Sequence, residues 1–154
     1  MIVEARVEHA QIVCEVIRDS ITRLCVKDHQ NNQCILDAWL SNKTPENCET
    51  WIKSQASKSF VVIEDETPIG ISIIGNNGYI YLCYMHPEKV GLGFGKQLIL
   101  ACENHATLLG LERLKVDSSL TAKKFYEAQG FVRSGDPFVE DNLRSYPLCK
   151  QLNS

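Results

Sequence analysis

Apolar positions along this chain change their spacing more than once, and each change marks a different element. Over residues 7–28 they recur at helical intervals: Ile12, Val13, Val16, Ile17, Ile21, Leu24 and Cys25 predict one amphipathic helix. Residues 35–40 predict a second, short helix. Thr44-Pro45-Glu46-Asn47 is a helix start: Thr44 is the side-chain cap, Pro45 suits the first helical position, and Trp51 and Ile52 close the apolar stripe. The spacing then shortens. Phe60-Val61-Val62-Ile63, residues 69–74 and residues 79–85 are β-branched or aromatic runs. Polar turns at Glu64-Asp65-Glu66-Thr67 and Gly75-Asn76-Asn77-Gly78 separate them and predict an antiparallel meander.

Helical spacing returns over residues 93–109, with Leu98, Ile99, Ala101 and Cys102 in the stripe. Residues 114–117 predict a strand. Ser118 or Ser119 then caps a helix running to Ala128, with Gly130 placed to end it. Phe131 and Val132 open another strand, and a last one lies within residues 144–152. Helices, a meander, then alternating strands and helices describe an α+β (mixed α/β) fold with helices on both faces of one sheet. No repeat or linker divides residues 1–154, so a single domain is expected.

Composition narrows the function classes. The 154 residues are 44% hydrophobic and 23% charged, enough for one sizeable core. A net charge of −3 argues against a nucleic-acid partner gripped by bulk charge. No apolar run approaches the ~20 residues of a spanning helix, and no basic segment followed by an apolar one opens the chain. No membrane association is expected. The seven cysteines lack any CxxC pair and read as small buried hydrophobes of a reduced, cytoplasmic protein. No metal site is expected.

The most informative stretch follows the third strand of the meander. After Cys83, Tyr84, Met85 and His86-Pro87 come Val90, Gly91, Leu92, Gly93, Phe94, Gly95 and Lys96, which open a helix. Glycines at alternate positions let backbone approach a ligand closely, and free N–H groups at a helix start favour phosphate. The spacing fits neither the GxxxxGK[ST] loop of nucleotide hydrolases nor the GxGxxG dinucleotide fingerprint. A ligand-free connector is the plain alternative.

The turn resembles the acyl-CoA motif [QR]-x-x-G-x-[GA] of the GNAT superfamily of N-acyltransferases. Gly93 and Gly95 stand at its glycines, and Val90 replaces the usual Gln or Arg. A second stretch, Ser119 to Phe131 in the chain, resembles the family signature N-x-x-A-x-x-[FL]-Y-x-x-x-G-F through Ala122, Phe125, Tyr126, Gly130 and Phe131, with Ser119 at the Asn position. The two occur in the family's order, and the resemblance covers residues 60–151. It implies a mostly antiparallel central sheet with a splayed strand pair at the acyl-CoA site. It also implies that the turn, from Val90 to Lys96, cradles the pyrophosphate of acetyl-CoA mainly through backbone N–H groups. Cys83, Tyr84 and Met85 would flank the acyl arm, and Ser119 would bond the pantetheine or merely cap its helix.

The implied reaction moves an acetyl group from acetyl-CoA to a primary amine of a small molecule or peptide, by direct attack in a ternary complex. The resemblance makes the Met85 N–H the oxyanion donor and Tyr126 the acid for the leaving thiolate. An ordinary aromatic on an amphipathic helix is core, which is the plain reading of Tyr126. Residues 79–85 carry no carboxylate or histidine, so the base is either Asp117, which can share the strand face of Ser119, or a water relay. Cys25, Asp28 and His29 share one helical face. Either they touch the acceptor, as this region does in GNAT-like proteins, or a buried Cys25 sits beside a helix end with Asp28 and His29 in water. Cys83 has no partner histidine at a diagnostic spacing and reads as packing rather than nucleophile. A CoA-binding sensor without turnover is the alternative function. The acidic charge mildly favours cationic acceptors such as polyamines or lysine side chains. The last strands allow a homodimer.

Overall fold

The computed structural model describes residues 1–152. The chain begins with strand β1 (Ile2–Glu4) and a 3-10 turn over Val7–His9. Helices α1 (Ala10–Leu24), α2 (Val26–His29), α3 (Gln33–Leu40) and α4 (Pro45–Lys53) follow. The single helix expected over residues 7–28 is therefore broken at Cys25, whose backbone leaves the helical region at φ −93° and ψ 32°. Neither proline nor glycine marks the break. The buried His29 ring stabilises it instead. Its Nε2 lies 3.0 Å from the Ile21 carbonyl, which also accepts from the Cys25 N–H, and 3.2 Å from that of Thr22, in the last turn of α1. Thr44 caps α4 by accepting from the Asn47 N–H, with Pro45 in the first position, as expected.

Strands β2 (Ser57–Glu64), β3 (Thr67–Gly75) and β4 (Ile80–Met85) form the meander, and β1 adds antiparallel to β2. At three residues β1 is too short to show a period, so the sequence pattern did not reveal it. Then come α5 (Phe94–Leu108), β5 (Arg113–Ser118), α6 (Leu120–Ala128), β6 (Val132–Arg133), β7 (Phe138–Glu140) and β8 (Leu143–Gln151). Strand β8 pairs antiparallel with β5, β6 and β7. The β7–β8 hairpin also escaped the sequence pattern. Its turn is Asp141-Asn142, both at positive φ (51° and 64°), the backbone a two-residue hairpin loop needs.

Alternation along the meander feeds two cores. Val61, Ile71 and Ile73 pack with Ile17 and Ile21 of α1. Val62 faces the other way onto Leu98, and Ile74 onto Ile99, both of α5. Strand β3 is buried on both faces, with Gly70 and Ser72 alternating with Ile69, Ile71 and Ile73. Among the described residues no helix is long and apolar enough to cross a membrane.

The feature that positions the site is a seam. Strands β4 and β5 are parallel neighbours only where Tyr79 bridges Lys115, with the Lys115 N–H donating to the Gly78 carbonyl at 2.9 Å. Beyond that point they separate, so the sheet is divided into the meander and the β5–β8–β6 unit. Tyr79, expected within the strand, forms this hinge just ahead of it.

Candidate active site

The parting of β4 from β5 leaves a cavity of about 180 Å³. Cys83 and Tyr84 line it from β4, Asp117 from β5, and Ser119 and Tyr126 from α6. All five were singled out from the sequence. Residues 90–96 do not line it, so the glycine turn and the cavity are separate parts of the surface.

Backbone polarity along β4 follows from its register. The His86 N–H donates to the Ile69 carbonyl at 2.8 Å, making 69 and 86 a hydrogen-bonded pair. Such pairs alternate along an antiparallel ladder. At the next pair, Gly70 opposite Met85, the Met85 N–H and C=O therefore point away from β3, toward the gap β5 has left. Cys83, two residues back, is placed the same way. The Met85 side chain is buried with Val62, Ile69 and Leu98.

The glycine turn is built from backbone. Gly91 and Gly93 hold φ of 77° and 90°, and a Cβ at either would meet no atom within 4 Å. Gly93 is the N-cap of α5 and supplies no side-chain cap, and the first helical bond is Gln97 N–H to the Gly93 carbonyl. The N–H groups of Phe94, Gly95 and Lys96 are thus free at the positive end of a four-turn helix. Val90 and Leu92 are 48% and 62% exposed, so neither side chain blocks the approach. Gly95 serves packing as well: a Cβ there would meet the Phe125 ring at 3.0 Å, so α5 and α6 close together at this point.

Tyr126 is 4% exposed, between Phe125 and Phe131 with ring centroids 5.3 Å from each. Burial pushes its phenol well above the ordinary value, and neighbouring Cys83, Tyr84 and Cys102 push the same way. The ring belongs to the core, and it also lines the cavity. Burial likewise raises the Cys83 thiol, reinforced by Cys102. That keeps Cys83 a packing residue rather than an activated nucleophile. Ser119 is the N-cap of α6, accepting from the Ala122 N–H at 3.1 Å.

The Cys25, Asp28 and His29 group departs from the expectation of a solvated helix end. His29 is 0% exposed and fully engaged, with Nδ1 accepting from the Asn31 N–H at 3.0 Å. Asp28 reaches across the fold to α6. Its oxygens accept from the Leu120 N–H (2.7 Å), the Thr121 N–H (3.1 Å) and the Thr121 hydroxyl (2.5 Å). A carboxylate at a helix N-terminus complements both the free donors and the dipole there. Burial holds the Cys25 thiol up at about 12, reinforced by Asp28. Asp28 also lines the cavity, as do Trp39, Tyr81 and Arg144, which sequence reasoning missed. No local pattern marks these three, because α3, β4 and β8 meet only in the folded chain.

These features together are those of an acetyltransferase. The family model described as an acetyltransferase (GNAT) domain matches residues 21–152, and the chain belongs to that family. Acetyl-CoA fits the family as co-substrate. No curated protein sequence matches. Among solved structures, a GCN5-related N-acetyltransferase from Rhodopseudomonas palustris is similar with TM-score 0.87 at 22% identity, over 99% of this chain and 95% of that one. The PaiA N-acetyltransferase from Thermoplasma acidophilum, in complex with coenzyme A, is similar with TM-score 0.84 at 18% identity, over 98% of both chains. An aminoglycoside 6'-N-acetyltransferase complexed with coenzyme A gives TM-score 0.77 at 11% identity, over 100% of this chain and 98% of that one. At these identities the likeness is one of fold.

Proposed function

We propose that this chain transfers the acetyl group of acetyl-CoA to a primary amine of a small molecule or peptide, by direct attack within a ternary complex. The observation that carries this is the seam itself. It leaves the Tyr126 phenol and the Asp117 carboxylate on one opening, with the Met85 N–H turned away from β3 at the end of the same strand that supplies Cys83 and Tyr84, and a helix N-terminus with free N–H groups following it in the chain. Residues 90–96 bind pyrophosphate through backbone, which is why Val in place of Gln or Arg at position 90 is tolerated. Ser119 caps α6 and offers its hydroxyl to the acyl arm.

The chemistry needs a free amine, an oxyanion donor and a thiolate acid. An alkyl ammonium has a pKa near ~10.4 and must shed a proton before attack. Asp117, exposed at the cavity mouth, takes it directly or through water. The Met85 N–H donates to the developing oxyanion, a preorganised interaction that strengthens as charge forms. Tyr126 then faces the departing sulfur. Burial keeps its proton on the phenol across the neutral range, and the same burial raises the proton affinity of a thiolate left beside it. The proton passes from the phenol to the sulfur as the carbon–sulfur bond breaks, and solvent reprotonates the phenolate. Nothing in this sequence calls for a covalent enzyme intermediate.

Thiol release from acetyl-CoA with a panel of primary amines tests this reading. Amine-dependent release with formation of an acetamide supports it. Tight acetyl-CoA binding without release by any amine identifies the CoA-sensing module instead.

A further inference from the structure

The charges around the cavity are of mixed sign and unequally committed. Three charged side chains line it: Asp28, Asp117 and Arg144. Asp28 is occupied, since its oxygens receive three donors from the start of α6. Asp117 and Arg144 have no ion pair and no side-chain hydrogen bond among the described residues, although both line one opening. Among the described residues Arg144 is the only cation lining it, and it stands at the start of β8, just past the Asp141-Asn142 turn. Asp117 pairs with Pro147 of β8, so Arg144 lies three residues along the same strand. That is roughly 10 Å of backbone, and the odd spacing projects the exposed Arg144 side chain from the other face of β8 than the one Asp117 shares with Pro147, so the two reach the opening from its two sides, with room for a small ligand between. Trp39, Tyr81 and Tyr84 supply aromatic wall between.

Resting on the function proposed above, we infer that the acceptor is an amine that also carries a carboxylate, of the amino-acid or short-peptide class. Its amine lies at the Asp117 and Tyr126 end, and its carboxylate is bound by the Arg144 guanidinium. A bare polycation would place positive charge against Arg144, and like charges disfavour each other in a partly enclosed site. Arginine suits the task because its planar fork meets a carboxylate with two parallel hydrogen bonds. The pyrophosphate of acetyl-CoA is the other anion in reach of the enzyme. The turn that would hold it contributes no residue to this cavity, so the acceptor is the anion assigned to Arg144.

The test compares amino acids and dipeptides with their C-terminal amides and with polyamines, by thiol release, for the native chain, Arg144→Gln and Arg144→Lys. The expected result is higher kcat/KM for free acids than for amides. Arg144→Gln should raise the acceptor KM by about ten-fold or more and narrow the gap between acid and amide, with Arg144→Lys in between. Hydrogen bonds to charged groups of this kind set that scale. The penalty should fall on the acceptor KM and not on that of acetyl-CoA. Polyamines exceeding the free acids, or Arg144→Gln leaving the acid-to-amide ratio as it was, overturns the inference while the acetyltransferase reading stands. A KM penalty confined to acetyl-CoA also overturns it, assigning Arg144 to the cofactor. No turnover with any amine removes the reading on which it rests.

Discussion

In the proposed function the glycine turn and the seam cavity each hold one end of a ligand, and they are built in opposite ways. The turn uses main-chain N–H groups at the start of α5, with two residues at positive φ and no side-chain cap. Val90 to Gly93 are exposed, while Phe94 and Gly95 pack inward. The cavity uses side chains brought from α2, α3, β4, β5, α6 and β8, and its central phenol is buried. A backbone site tolerates substitution wherever φ is negative. A side-chain site depends on each group and on what holds that group in place. The difference predicts where mutations hurt.

The largest effect should come from the cavity. Tyr126→Phe keeps the ring packed between Phe125 and Phe131 and removes only the hydroxyl, so it should lower kcat by about 100-fold with little change in melting temperature. Initial rates of thiol release together with a thermal melt check this. Unchanged kcat would reduce Tyr126 to core and break the contrast.

Asp28→Ala comes next. It leaves two backbone N–H groups and the Thr121 hydroxyl at the head of α6 without their acceptor. A loss of about 2 kcal/mol is expected, the scale of a helix cap strengthened by charge. Urea unfolding measures it, and a loss below about 0.5 kcal/mol would show that the Ser119 cap suffices.

The turn should respond more mildly. Gly93→Ala meets no atom, so its cost is that of a left-handed backbone, about 1 kcal/mol; the free turn is expected to relax out of that backbone, and re-forming it on binding should raise the KM for acetyl-CoA by up to about five-fold. The smallest effect is expected for Val90→Gln, which restores the side chain usual in the family at an exposed position and should shift that KM by less than about two-fold. Steady-state titration of acetyl-CoA distinguishes them. A large gain from Val90→Gln would show that the turn depends on a side chain after all.

The same contrast explains what the sequence could reveal. The turn was legible because backbone sites leave their mark in glycine spacing: the glycines needed for positive φ, and the helix they open, are consecutive in the chain. The meander and α4 were legible through period and capping, both local. Tyr126 and Ser119 were found through a spaced signature on one helix. The break at Cys25 was not legible, since it depends on His29 folding back onto α1. Nor was the role of Asp28, whose partners lie 92 and 93 residues away. Trp39, Tyr81 and Arg144 carry no pattern of their own, and only the seam between β4 and β5 gives them a common purpose.

The central claim is that a backbone turn at residues 90–96 holds acetyl-CoA beside a cavity that does the chemistry. Thermal unfolding with and without the ligand tests it most directly, read alongside ATP and NAD. At ~100 times its Kd, acetyl-CoA should stabilise the fold by ~2.7 kcal/mol and raise the melting temperature, while ATP and NAD do not. No shift at millimolar acetyl-CoA, or an equal shift with ATP or NAD, would contradict the account.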